Sequence, residues 1–243
     1  MMAIALHRVE REPGIVALLL RGAMRWRALI IAFALGFPLL FYLVLLGMLV
    51  AVYGHLPNYL APYNWVGNVL HIIASTPAVA DMLPIIRDEW LIETGYINYD
   101  YGNGIADWSL SVIPHKFLIV SLAGALIGLN AGLLLDRLSM GTFAQQSFQL
   151  CQFGLLTGIG ALCTSVTNAT VFSVVHCATP SWVGSLAVLG FDTFDVFAVE
   201  PYGPLIGAVG FAALILSALL IVRDERPSHG AVSMPARGEV APC

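Results

Sequence analysis

Residues 28–53 read ALIIAFALGFPLLFYLVLLGMLVAVY and hold no charged side chain. The run exceeds the roughly 20 residues that carry a helix across a bilayer core. Hydrocarbon offers no water to satisfy peptide groups, so a lone apolar run must close its own hydrogen bonds as a helix. This run places the chain in a membrane, and everything else is arranged around it. Composition agrees: 11% of residues are charged, against about 25% in an ordinary soluble domain. Pro38 predicts a kink in this span, tolerated where neighbours take up the freed carbonyl.

The same reasoning marks residues 116–135, 148–175 and 203–222 as spans. Residues 180–199 are interrupted by Asp192 and Asp195, and the apolar piece before them has the length of a re-entrant segment. The expected fold class is therefore all-α. It is a polytopic transmembrane helix bundle of four spans plus a re-entrant or broken helix, with five spans as the alternative if residues 180–199 cross. Arg8, Arg11, Arg21, Arg25 and Arg27 precede the first span and set the N-terminus in the cytoplasm. Four spans return the polar tail 223–243, with Arg223, Arg226 and Arg237, to the same side, which suits the positive-inside rule better than five. Within residues 1–27, IVALLL is too short to span and reads as part of an amphipathic helix in the interface. No small-residue cleavage site precedes a polar start, so the first span reads as retained.

Residues 54–115 make an extracytoplasmic excursion. It carries Asp81, Asp88, Glu89, Glu93, Asp100 and Asp107 against Arg87 alone. WVGNVLHIIASTPAVADML has helical apolar spacing, but Pro77, Asp81 and Pro84 argue against a span and for a surface helix. YINYDYGNGIADW reads as a turn between extended pieces, with Asn-Gly as the turn signal. Trp65, Trp90, Tyr96, Tyr99, Tyr101 and Trp108 suit either an interfacial belt or a docking surface.

Gly124, Gly128 and Gly132 fall on one face of the second span, and Gly154 and Gly158 repeat the spacing in the third. Such stripes let helix backbones approach closely. No span interior holds Lys, Arg, Asp or Glu, which argues against a coupled pump or ion channel. Cys151, Cys163, Cys177 and Cys243 form no C-x-x-C pair, and no nucleotide loop, H-E-x-x-H or haem-attachment motif is present. His71 and His115 have no ligand spacing between them, though with Asp81 they would serve an enzyme site on the outer face. No basic patch of the density that nucleic acid requires exists.

In SVVHCATPSWVGSLAVLG, His176 and Cys177 are adjacent and Pro180 follows. Together they read either as a helix end or as two ligands of a soft-metal site, since imidazole and thiolate suit mercury or copper. The stretch CATPSWVGSLAVLGFDTFDVFAVEPYGPLIGAVG resembles the bacterial mercuric-ion membrane transporters. Cys177, Pro180, Gly190, Glu200, Pro201, Tyr202 and Pro204 carry the resemblance, which covers about residues 150–222. His176 replaces the first thiol of that family's Cys-Cys pair. The resemblance implies the bacterial inner membrane and soft-metal transport or delivery. The spans read on their own favour a non-catalytic subunit of a larger membrane complex, electron-transport, photosynthetic or oxygenase-type. Its partners would be the lipid bilayer and other membrane subunits, and any cofactor would be a soft metal ion, a bound lipid or a pigment.

Overall fold

The computed structural model describes residues 14–101, 104–140, 143–173, 181–188, 190–192 and 198–223. The chain is mostly helical. Helix α1 covers Ile15–Arg25 and α2 covers Arg27–Tyr53. Strand β1 (Tyr59–Pro62), helices α3 (Trp65–Ser75) and α4 (Val79–Asp88), and strands β2 (Ile92–Asn98) and β3 (Ile105–Val112) follow. Helix α5 spans Pro114–Met140 and α6 spans Phe143–Val166. Strand β4 (Val171–Ser173), the short helix α7 (Val183–Val188) and helix α8 (Gly203–Arg223) complete the described chain.

Three helical stretches are long and apolar enough to cross a membrane: Arg27–Tyr53, Pro114–Ser139 and Glu200–Arg223. Helix α2 runs unbroken through Pro38 and ends at Gly54, whose φ of 74° is a left-handed cap that a side chain would strain. Gly54 N–H donates to the Val50 carbonyl at 2.9 Å.

The four long helices pack as neighbours, α2 against α5, α5 against α6 and α8, and α6 against α8. Gly124, Gly128 and Gly132 form the seam of α5 against α2. A Cβ on Gly124 would stand 2.4 Å from the Phe33 carbonyl oxygen. One on Gly128 would meet the Ile30 Cα at 3.0 Å, and one on Gly132 the Trp26 ring at 2.5 Å. Among the described residues nothing lies within 4 Å of such an atom on Gly154 or Gly158. Helix α6 instead meets α8 through Gly160, which abuts the Gly210 carbonyl, and through Thr164, which abuts Gly210.

The all-α expectation is corrected by a four-stranded antiparallel sheet in the order β1-β2-β3-β4. The YINYDYGNGIADW segment closes the β2–β3 hairpin, with a 3-10 turn at Tyr99–Tyr101 and a register shift after Tyr96. Strand β4 comes from a segment read as the end of the third span. Helix α6 stops at Val166 because polar side chains take its last carbonyls. Thr167 Oγ1 donates to the Cys163 carbonyl at 2.8 Å, and the Asn168 amide donates to the Thr164 carbonyl at 2.7 Å. The chain then turns, and Phe172 pairs in register with Ser109 of β3. Helix α7 has six residues, too few to cross.

Two cores hold the ends of the molecule. At the sheet end, Leu45 and Leu49 of α2 pack with Trp108, Leu110, Ala169, Val171 and Val188. At the opposite end, Leu133, Phe153, Ala218, Ile221 and Val222 pack with Ile15, Leu18 and Leu19 of α1. There Asp136 is buried, accepting from Trp26 Nε1 at 2.9 Å and pairing with Arg25 at 3.1 Å. Helix α5 therefore runs past the expected end at residue 135, because Asp136 is neutralised by Arg25 of α1 and held by Trp26 at the start of α2.

Candidate functional site

At the sheet end a half-open cavity of about 800 Å³ lies between α4, α5, the end of α6 and the start of α8. One wall is apolar: Ile119 of α5 and Ala208 and Phe211 of α8. Trp90 and Trp182 flank it, and Thr167, Asn168 and Ser181 add a polar edge. Small residues make the room on the α8 side. A Cβ on Gly203 would strike the Trp182 ring at 2.6 Å, and one on Gly207 would meet Thr167 Oγ1 at 2.9 Å.

The charged groups at the cavity are Arg87, Asp88 and Lys116, with His115 beside them. Arg87 and Asp88 pair with each other at 3.1 Å, both exposed. Lys116 is the third residue of α5 and is partly buried. Its Nζ donates to Thr170 Oγ1 at 2.9 Å, and it forms no ion pair among the described residues. His115 Nδ1 bonds the Arg87 carbonyl. A carbonyl only accepts, so Nδ1 carries a proton and donates it to that oxygen. This bond ties the end of α4 to the start of α5. Among the described lining residues the Arg87–Asp88 pair cancels itself, and Lys116 leaves one net positive charge.

The excursion contains the remaining candidates. Trp108 is 0% exposed and sits in the core against α2, so the docking role expected of it is corrected. It occupies an inward position of β3 at the centre of the sheet, where period-2 alternation turns it onto the helices. Trp65 is partly buried, and Trp90 meets Tyr63 edge to face at 5.8 Å. Tyr96 stacks on His55 at 4.4 Å, while Tyr99 is 65% exposed. Tyr101 lies in the 3-10 turn. Glu93 of β2 accepts from Tyr59 at 3.0 Å and from Tyr63 at 2.7 Å, bracing β1 against β2. Burial first, then the Glu93 contacts, raise both phenols, Tyr63 to about 12.

Helices α3 and α4 contain no buried residue. Val66, Leu70, Ile73, Val79, Leu83 and Ile85 are all exposed, between 47% and 62%. The expected surface helix is thus two helices, broken at Thr76–Ala78 around Pro77, with apolar side chains uncovered by the other described residues.

The metal-ligand candidates His176 and Cys177, and Pro180 beside them, lie outside the described residues. Among the described residues no three His, Cys, Asp or Glu side chains converge as a metal site. His71 is exposed on α3, and His115 lies at the cavity. Of the residues that carry the family resemblance, Glu200–Tyr202 form a 3-10 turn that feeds α8, and Gly190 takes a φ of 90°. Lys116 was hidden in the sequence as the first residue of an apolar span. The signal for it is the Pro-His-Lys start of α5 together with the hydroxyl-rich end of α6, two polar segments that flank apolar helices. Comparison with protein-family models, with curated proteins and with solved structures finds no match for this chain.

Proposed function

We propose that this chain is a non-catalytic integral subunit of a larger assembly in a bacterial inner membrane. The observation that carries the reading is the uncovered apolar surface of α3 and α4. Apolar side chains in such numbers outside the long helices call for a cover. A lipid surface is the poorer cover, because helices that lie on anionic membranes carry Lys and Arg on the polar face. Residues 54–115 carry six acidic side chains against Arg87. A protein partner with an apolar groove and a basic rim suits this surface better.

The proposed topology has four crossings, by α2, α5, α6 and α8. Strands β1 to β3 lie between α2 and α5, and β4 follows α6, yet β4 pairs with β3. That pairing supports a reading in which both segments share one face of the membrane and α5 and α6 cross as an antiparallel pair. The basic residues before α2 and after α8 then share the opposite face, which the positive-inside rule assigns to the cytoplasm.

The test is purification from the native membrane in mild detergent, with partners and bound metal measured together. A stoichiometric partner is expected, lost in Leu70→Glu and in Leu83→Glu while the bundle keeps its thermal midpoint. A chain without partners that holds one soft metal ion, lost in Cys177→Ala, would overturn the subunit reading in favour of metal transport or delivery.

A further inference from the structure

We infer that the cavity at the start of α5 binds an amphiphile with one negative headgroup, the headgroup on Lys116 and the acyl chain along Ile119, Ala208 and Phe211. The inference rests on the membrane-spanning reading of the chain and not on the partner subunit. Its volume, about 800 Å³, falls within the ~300–1,000 Å³ of small-molecule sites. Its chemistry is graded. Lys116, Asn168 and Ser181 stand at the sheet end, Thr167 stands opposite Gly207, and Phe211 lies furthest along α8. Phe211 is eight residues beyond Gly203, about 12 Å along α8. The cavity therefore runs from the helix ends into the apolar length of the bundle, as a headgroup and chain would.

The charge argues for an anion. A partly buried ammonium without a carboxylate is costly, and a bound negative group offsets that cost. Lys116 spends one N–H on Thr170, which leaves two for a ligand. Asp88 at the rim is engaged by Arg87, which partly offsets its attraction for Lys116, and it makes no ion pair with the ammonium. Among the described residues no acidic side chain other than Asp88 lines the cavity. A small inorganic anion would satisfy Lys116 but leave the Ile119, Ala208 and Phe211 wall uncovered.

The test uses the full chain in phosphatidylcholine vesicles and two probes of equal chain length, a brominated fatty acid and the matching brominated alcohol. Bromine quenches nearby indoles, and Trp90 and Trp182 both line the cavity. The acid is expected to quench saturably at about 10-fold lower concentration than the alcohol, the scale of one charge-assisted contact. Lys116→Gln brings the acid to the alcohol's value, Lys116→Arg keeps the difference, and Trp182→Phe removes much of the quenching. Phosphatidylglycerol added to the vesicles competes with the acid, which identifies the leaflet as a source. Equal quenching by acid and alcohol in the wild type overturns the inference, as does a preference that survives Lys116→Gln. Displacement of the acid by millimolar inorganic phosphate also overturns it, since that marks a site for a free anion. Should Lys116→Gln fail to fold, the wild-type acid-to-alcohol ratio decides alone. Flotation of the protein with the vesicles reports membrane placement separately.

Discussion

Gly124 shows how much one missing methyl decides. Its α-carbon faces the Phe33 carbonyl and the Phe37 Cβ, which a side chain would meet at 2.4 and 3.0 Å. A backbone oxygen cannot rotate aside, so Gly124→Ala must part α2 from α5. The expected cost is ~1–3 kcal/mol, the range for overpacking. It is read as a lower thermal midpoint in detergent, with Gly154→Ala as the control, expected within ~0.5 kcal/mol of wild type. Asp136 is the second decisive residue. Its carboxylate accepts from Trp26 and pairs with Arg25, whose side chain is 65% exposed. Removing the acid leaves Arg25 in solvent, so Asp136→Ala loses a charge-assisted bond, ~1.5–3 kcal/mol, without stranding a buried charge. Faster hydrogen exchange over residues 14–26, with α8 unchanged, is the expected outcome. The Gly124 stripe was legible from its spacing. That the described residues leave Gly154 and Gly158 uncovered was not, because spacing identifies a face and says nothing of what stands opposite.

At the scale of elements, the sheet is the part most open to solution chemistry. Tyr63 donates to Glu93, and its pKa is raised from 10.0 to about 12, by burial first and then by that bond. The folded state holds the phenolic proton more tightly than the unfolded chain. The resulting stability is complete below pH 10.0 and is lost as pH rises towards about 12. Alkaline titration in detergent is expected to melt the sheet within that window, and Tyr63→Phe to soften the pH dependence. Tyrosinate absorbance that titrates fully near pH 10 in the folded protein would contradict this. Helices α3 and α4 were readable as surface elements from Pro77, Asp81 and Pro84. Strand β4 was not readable, since CTSVTNATVFS continues an apolar run and its helix end is set by Thr167 and Asn168 bonding back.

At the scale of the molecule, the pairing of β3 with β4 makes a topological prediction. Cysteine introduced at Leu56, which is 74% exposed, and at Tyr202, which is 58% exposed, should react with one membrane-impermeant maleimide from the same side. Cysteine at Arg223 should react only after the membrane is opened. Labelling of Leu56→Cys and Tyr202→Cys from opposite sides would break the four-crossing arrangement.

The sequence by itself determined the long apolar helices, three of them long and apolar enough to cross a membrane, because hydropathy over such a length reports them directly. It also placed the hairpin at YINYDYGNGIADW, where turn chemistry is local. What only the tertiary structure decided were the contacts between distant segments. Trp108 entered the core because β3 lies inside a sheet completed by β4, some sixty residues further along the chain. Lys116 became a cavity residue because the ends of α4 and α6 and the start of α8 meet around it. Local propensity is written in neighbouring residues, but a sheet partner or a cavity wall arises only when separate helices return to the same level.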